Sequence, residues 1–243
     1  MNACKTKATN ILTIVVMFVA LTAYILFRTY IFSEHHLDLC AADYLVMCLE
    51  PRFFSIAICP LCLFLFKDIT QQMGINTVVR HKTKVRYCLH QVLRIIKTAG
   101  LISVLLLVLQ LFLSVLCTSE TINWDSKASY YYISTGFTST VDFIDVCTMF
   151  LANCFIGLAF TGTLFLSFRW LCKTHTLGYV ICAICMLLDA AGLTIFYTRL
   201  NFINSWTTYS SPVFHFKDIV FVQLGLLVFL LLIVLGKEFY YEK

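Results

Sequence analysis

Residues 98–117, TAGLISVLLLVLQLFLSVLC, form an apolar stretch that contains no Asp, Glu, Lys or Arg. About 20 such residues in a helix are long enough to cross the hydrocarbon core of a bilayer. The rest of the chain has the same character, because 60% of its 243 residues are hydrophobic and only 13% are charged. Its mean hydropathy is +0.86. Soluble domains contain roughly half apolar residues, so the composition predicts an integral membrane protein.

Six apolar runs of this kind occur along the chain, and together they use most of its length. We therefore expect an all-α fold of six transmembrane helices that form one membrane domain over residues 1–243. The second run is the least regular, because Pro60 near its middle should kink the helix, whereas Pro51 suits a first helical turn. The predicted spans are residues 11–32, 52–66, 98–117, 147–170, 176–198 and 218–236.

The basic residues predict how these helices are oriented. With the N-terminus inside, 13 of the 18 Lys and Arg residues fall in inner segments. The positive-inside rule then places both termini in the cytoplasm and predicts a multi-pass protein of the cell membrane. In this arrangement the long inner loop is 67–97, and the outer segments are 33–51, 118–146 and 199–217.

The inner loop carries a basic island in an otherwise apolar chain. One interpretation is an anchor that binds anionic lipid headgroups. The other is a docking element for a cytoplasmic partner, which the length of the loop and its uncharged first half favour. We expect the docking role to fall on Arg80, His81, Lys82, Lys84, Arg86 and Tyr87.

A helix is predicted at the end of this loop. Val85, Leu89, Val92 and Ile96 recur at spacings of four, three and four residues, which is the period of one helix face. Such a helix would lie at the membrane surface and continue into the span at 98–117.

The outer segments are rich in aromatic residues. A Trp or Tyr ring at the membrane surface is half buried while its polar tip remains in water. We therefore expect interfacial anchors, on short helices at the outer leaflet, at Trp124, Tyr130, Tyr131 and Trp206.

Two other groups of polar residues are candidate sites. Asp189 lies near the centre of the fifth predicted span, where a carboxylate is costly and should face the interior of the bundle. It is either a substrate-path or gating residue, or a structural acid with a partner. His35 and His36 could bind a metal ion at the outer surface, but adjacent residues seldom converge on one ion, so we expect a solvated loop and no metal.

Two C-x-x-C pairs raise the question of redox chemistry, Cys59 with Cys62 and Cys182 with Cys185. A quinone-coupled thiol oxidoreductase would need such a pair with an accessible thiolate. Both pairs lie within predicted spans, which does not favour that chemistry. Two outer pairs could form disulfides if their loops face an oxidising space. They are Cys40 with Cys48 and Cys117 with Cys147.

The layout of the chain resembles a known family. NTVVRHKTKVRYCLHQVLRIIKTAG (76–100), INWDSKASYYYISTG (122–136) and GKEFYYEK (236–243), in a chain of six predicted spans, resemble the small permease subunits of type-2 ABC exporters. The resemblance is to the bacteriocin-type permeases of Gram-positive bacteria in particular. It implies that residues around 70–90 couple to separate ATPase subunits. It also implies a second permease chain, identical or related, and a peptide or amphiphilic substrate.

No G-x-x-x-x-G-K-[ST] phosphate loop occurs in the sequence. We therefore expect a non-catalytic transport subunit without a cofactor of its own, with ATP and Mg bound by the partner ATPase. Membrane lipid is an expected partner and nucleic acid is not. The alternative is a membrane protein that does not transport, such as a quinone-coupled thiol oxidoreductase or a sensor that binds peptide at its outer aromatic segments.

Overall fold

The computed structural model describes residues 2–35, 37–71, 84–136, 138–172 and 175–191, together with positions 225, 228, 232 and 236. All regular structure in these residues is helical, as predicted, and an isolated β-bridge joins Asp38 to Ser129. The helices are α1 (Asn2–Glu34), α2 (Ala41–Cys48), α3 (Pro51–Phe53), a π-helical turn (Phe54–Ile58), α4 (Cys59–Gln71), α5 (Lys84–Cys117), α6 (Tyr130–Thr135), α7 (Phe143–Cys172) and α8 (His175–Ala190).

Three of the described helices are long and apolar enough to cross a membrane, namely Asn10–Glu34, Arg86–Cys117 and Phe143–Leu171. They coincide with the first, third and fourth predicted spans. Two shorter apolar helices, Phe54–Lys67 and Thr176–Leu188, lie at the second and the fifth. The sixth predicted span falls outside the described residues except for its four helical positions.

Helix α5 joins the end of the inner loop to the third span without a break, which confirms the predicted continuity. One of its faces packs into the bundle through Ile95, Ala99 and Ile102, which are at most 5% exposed. The opposite face is also apolar, since Leu101 and Val115 are 65% and 74% exposed. A helix that is apolar all round suits a protein core on one side and lipid on the other.

The second span is a single helical path that begins at Pro51, as expected for a first-turn proline. The kink predicted at Pro60 stays a prediction, and what the structure shows there is a π-helical turn just before the proline. There the Cys59 N–H donates to the carbonyl of Phe54, five residues back. Pro60 has no N–H and its ring collides with the carbonyl four residues earlier in a regular helix. The wider turn relieves that collision.

Helices α5 and α7 pack in opposite directions at close range. A Cβ atom on Gly162 of α7 would lie 2.5 Å from Cγ2 of Ile95 and 3.1 Å from the ring of Phe66 on α4. A Cβ atom on Gly100 of α5 would lie 3.8 Å from the ring of Phe155, an ordinary contact. Small residues allow membrane helices to approach closely. Gly162 therefore fixes the point where α4, α5 and α7 meet.

The two ends of the bundle differ in charge. At the end where α1 and α5 finish and α7 begins, which we call the acidic end, the acidic residues are Glu34, Asp38, Asp43, Glu50, Glu120, Asp125, Asp142 and Asp145. The opposite end, where α4 and α7 finish and α5 begins, is the basic end. Its basic residues are Lys5, Lys7, Lys67, Lys84, Arg86, Arg94, Lys97 and Arg169, and Asp68 on α4 is an acidic residue at the same end. The segregation agrees with the predicted orientation, which stays a prediction.

Candidate functional site

The acidic end is closed by two loops that bond to each other through their backbones. The N–H groups of Ala41 and Ala42 donate to the carbonyls of Glu120 and Thr121 at 3.0 and 3.1 Å. These bonds tie the start of α2 to the loop after α5. Because both loops are anchored, polar side chains at this end are held in fixed positions.

Asp43 on α2 is the centre of this closed end. Its carboxylate accepts hydrogen bonds from Nε1 of Trp124 at 2.8 Å, from the Cys40 N–H at 3.0 Å and from the Cys40 thiol at 3.3 Å. Burial raises the pKa of Asp43 although these donors oppose the shift. Burial also raises the pKa of the Cys40 thiol to about 12, so it is no thiolate at neutral pH. These hydrogen bonds hold the start of α2 and the loop after α5 together, and the protonated Cys40 thiol is not an activated nucleophile.

The predicted aromatic anchors behave differently from one another. The Trp124 ring is 1% exposed and stacks on Tyr131 with centroids 4.4 Å apart, so both side chains belong to the protein core. The Trp124 indole is thus more buried than the half-exposed ring that was expected, because its N–H bonds to the Asp43 carboxylate; its role as an interfacial anchor stays a prediction. Tyr130 is half-buried and packs on Phe32 at 4.7 Å. The fourth anchor, Trp206, lies outside the described residues.

An ion pair near the acidic end was not predicted. Arg28 on α1 pairs with Glu50, whose second oxygen accepts the Tyr24 hydroxyl at 2.6 Å. The guanidinium carbon of Arg28 lies 4.8 Å from the centroid of the Phe32 ring. A cation on a spanning helix needs such a partner, so the pair neutralises Arg28 and attaches α1 to the start of the second span.

At the basic end, Gln91 on α5 links three helices. Its Nε2 donates to the Tyr87 hydroxyl at 3.1 Å and to the Ile69 carbonyl of α4 at 3.5 Å. Its Oε1 accepts from Nε1 of Trp170 on α7 at 2.9 Å. Gln91 is 1% exposed. We call these four residues, Ile69, Tyr87, Gln91 and Trp170, the basic-end lock.

The structure separates the residues predicted to couple to an ATPase. Arg86 is exposed on α5, whereas Tyr87 beside it is 2% exposed and belongs to the basic-end lock. Lys84 begins α5. Arg80, His81 and Lys82 lie outside the described residues. Tyr87 is thus placed for packing, and a docking surface would have to be built from the cations around it.

The remaining polar candidates lie at or just beyond the ends of helices. Asp189 lies in α8 one residue before its described end, and its predicted place on a substrate path is untested. His35 is exposed, and His36 lies outside the described residues. No three His, Cys, Asp or Glu side chains converge on a possible metal position in the part of the chain that the structure covers.

The cysteine pairs lie in apolar surroundings. The ten cysteines whose side chains the structure describes are all free thiols. Cys59, Cys62 and Cys182 are fully buried, and Cys185 is half-buried. A disulfide-exchanging enzyme needs an accessible thiolate. The buried pairs do not meet that requirement in this conformation.

Two carboxamide side chains lie unpaired in the interior of the bundle. Gln110 on α5 and Asn153 on α7 are 0% and 1% exposed, and neither the oxygen nor the nitrogen of either group has a hydrogen-bond partner among the described residues. Cys48 of α2 is a neighbour of Gln110 but does not reach it with hydrogen-bond geometry. These four polar atoms stand out in an interior where neighbouring hydroxyls bond back to their own helices. The hydroxyls are those of Ser103, Ser114, Thr161, Thr163 and Ser167.

The depth of the two carboxamides follows from the packing of α5 on α7. Gly100 lies level with Phe155, and the helices run in opposite directions. Asn153 is therefore level with residues near Ser103, about seven residues from Gln110 along α5. At 1.5 Å per residue, the two groups are about 10 Å apart along the bundle axis. They mark two successive levels between the acidic end and the middle.

Comparisons with known protein families, with curated proteins and with solved structures gave no match to the chain.

Proposed function

We propose that the chain is the membrane-spanning permease subunit of an ATP-driven exporter, and that it moves a peptide or another amphiphile. It pairs with a second permease chain, identical or related, in the cell membrane. Separate ATPase subunits bind ATP and Mg and dock on its basic end. The observation that carries the proposal is the pair of unpartnered carboxamides, Gln110 and Asn153, at two levels of the apolar interior.

A buried carboxamide without partners is costly, at about 1–3 kcal/mol for each unsatisfied group. Fully apolar side chains of similar shape would avoid this cost, so a role beyond packing accounts for the two residues. Polar side chains that face the interior of a membrane bundle typically line a path for a substrate or for water. Gln110 and Asn153 would supply hydrogen bonds to the polar backbone of a passing peptide while the surrounding apolar residues contact its side chains.

The charge of the basic end supports the proposed docking of ATPase subunits there. An ATPase that drives the conformational change has to bind the permease more tightly in one nucleotide state than in the other. The basic island carries four cations in the sequence, and among the described ones Arg86 is exposed. A soluble partner with acidic groups could recognise such a group of cations. The resemblance of residues 76–100 to the coupling segment of ABC permeases points to the same partner.

Affinity capture from native membranes tests this function. We expect the full-length tagged chain, purified in mild detergent after cross-linking, to bring with it a chain that carries a phosphate loop. Changing the four island cations to Gln should reduce that capture about tenfold or more. The positions to change are Arg80, Lys82, Lys84 and Arg86.

Arg52→Gln and Lys127→Gln, two exposed cations at the acidic end, are the matched controls and should leave capture unchanged. Failure to capture any chain with a phosphate loop would overturn the exporter. An equal loss in the acidic-end controls would show a nonspecific charge effect and would also count against it.

A further inference from the structure

Arg169 is a buried cation, and one of its guanidinium nitrogens has no hydrogen-bond partner among the described residues. It lies in the last turn of α7, next to Trp170 of the basic-end lock, and is 9% exposed. Its Nη1 atom is buried and has no hydrogen-bond partner among the described residues. Among the carboxylates whose side chains the structure describes, none forms an ion pair with Arg169. Arginine stays protonated in proteins, so Arg169 carries a positive charge inside the protein that no described carboxylate side chain pairs with.

A second cation approaches the same place. Arg94 is half-buried on α5, three residues beyond Gln91 and seven beyond Tyr87, and therefore on the same helix face. The Tyr87 hydroxyl interacts electrostatically with Arg169 and with Arg94. Arg94 lies two turns along α5 from Tyr87, and Arg169 precedes Trp170, whose ring centroid lies 6.3 Å from that of Tyr87. Both cations therefore border the basic-end lock, which holds α4, α5 and α7 together. The surrounding side chains cannot rearrange cheaply, because Gln91 bonds to all three helices.

The depth of this site limits what can neutralise it. Arg169 lies just before the end of an apolar helix that can span a bilayer, and Arg94 lies just before the uncharged run 98–117. Both cations are therefore placed near the boundary between hydrocarbon and water. Lipid phosphates occupy that depth, and basic pockets between membrane helices are suited to lipid headgroups. Arginine binds phosphate through a planar fork of N–H donors.

We propose that Arg169 and Arg94 form a binding site for the phosphate of an anionic membrane lipid, between α5 and α7 at the basic end. The lipid phosphate would accept the free Nη1–H of Arg169. Its acyl chains would lie along the exposed apolar face of α5. The site is separate from the basic island and does not depend on an ATPase or on transport.

Lipid retention by the purified chain tests the site. Full-length protein in detergent is mixed with phosphatidylglycerol, with phosphatidylcholine or with inorganic phosphate, and is followed by native mass spectrometry and thermal melting. We expect phosphatidylglycerol to be retained and to raise the melting temperature, because a ligand that binds only the folded state stabilises it. Arg169→Gln should weaken that retention about tenfold or more. Arg169→Lys should restore part of it, since the charge remains and the fork is lost.

Lys97→Gln is the matched control, because Lys97 is exposed on α5 at the same end and carries the same charge. It should leave phosphatidylglycerol binding unchanged. Without lipid, Arg169→Gln should melt at or above the temperature of the wild type, since it removes an unpaired buried charge. This melting curve shows whether the variant is folded.

Three results would overturn the site. The first is equal loss of binding in Lys97→Gln and Arg169→Gln, which would show general attraction to a positive surface. The second is equally tight binding of inorganic phosphate, which would assign the site to a soluble anion. The third is unchanged lipid binding in Arg169→Gln with a loss of ATPase capture, which would assign the charge to protein docking.

Discussion

The carboxamides of Gln91, Gln110 and Asn153 have the same chemistry and similar burial but differ in their hydrogen bonds. Gln91 is bonded at both ends of its amide, whereas the other two are bonded at neither. Gln91 and Gln110 even lie on one helix, α5. Residue type and position in an apolar run therefore do not decide which carboxamide is hydrogen-bonded to other parts of the fold and which has no hydrogen-bond partner. That distinction can be measured directly.

Replacing Gln91 and Gln110 by Leu should have opposite consequences. Gln91→Leu leaves the Trp170 N–H buried without an acceptor, so we expect the free energy of unfolding to fall by about 2–3 kcal/mol. Gln110→Leu removes two unsatisfied atoms, so stability should stay within about 1 kcal/mol or increase. Thermal melting of the purified variants checks both. If Gln110→Leu is as destabilised as Gln91→Leu, the Gln110 amide has a structural partner and its place on a pathway loses its support.

Asp43 gives the acidic end a pH dependence. Its pKa is raised by burial, so the folded state binds this proton more tightly than the unfolded state does. The stability contributed by Asp43 is fully present below the unfolded pKa of ~3.9. It is lost as the pH rises through the higher folded value. We therefore compare the melting temperature of the wild type with that of Asp43→Asn at each pH. The difference, wild type minus variant, should decrease as the pH is raised from ~3.9 towards neutrality.

Asp43→Asn should also cost about 1–3 kcal/mol near neutral pH, because its amide cannot accept from both Trp124 and the Cys40 N–H. Asp125→Asn, a neighbouring exposed carboxylate, serves as the control and should change neither the stability nor its pH dependence. A pH profile of Asp43→Asn that parallels the wild type would contradict the assignment to Asp43.

At the level of helices, contact distances are set by single small residues. Gly162 leaves no room for a Cβ atom between α4, α5 and α7, whereas Gly100 faces an ordinary contact. Both glycines lie in apolar runs, so the sequence does not show which of them lies at a close contact between helices. The π-helical turn before Pro60 is the opposite case, because a proline acts on its own helix and its effect can be read locally.

Gly162→Ala should therefore destabilise the bundle, and Gly100→Ala should not. The new methyl group of Gly162→Ala has to displace Ile95 and Phe66, and overpacking of this kind costs about 1–3 kcal/mol. Gly100→Ala should change the stability by less than about 0.5 kcal/mol and can increase it, since Ala favours helix. Thermal melting of the two variants in the same detergent makes the comparison. Equal melting temperatures would mean that α4 and α5 yield without cost at Gly162.

For the whole molecule, the separation of charge between the two ends predicts the orientation in the membrane. The acidic end includes exposed Lys127, and the basic end includes exposed Lys97. If the basic end is cytoplasmic, a membrane-impermeant amine reagent should label Lys127 in intact cells and Lys97 only after permeabilisation. Peptide mapping by mass spectrometry reads out both positions, and Lys127→Arg provides the background. Labelling of Lys97 in intact cells would invert the orientation.

Short stretches of the sequence predict many features of this structure. The apolar runs gave the helices of the described spans, the helical period gave the continuity of α5, and Pro51 and Pro60 gave the start and the irregular turn of the second span. Hydropathy, backbone sterics and helical period act over a few residues, so each of these features can be read from a short stretch.

Partners brought together from distant parts of the chain were decided only by the tertiary structure. Trp124 reaches Asp43 across 81 residues, and Trp170 reaches Gln91 across 79. The same packing leaves the carboxamides of Gln110 and Asn153 and the Nη1 atom of Arg169 without hydrogen-bond partners in the described residues. A hydrogen bond depends on the distance and angle between two groups, and in this bundle helix packing fixes both. The sequence therefore determined which segments are apolar helices, and the fold decided which of their buried polar groups have hydrogen-bond partners among the described residues.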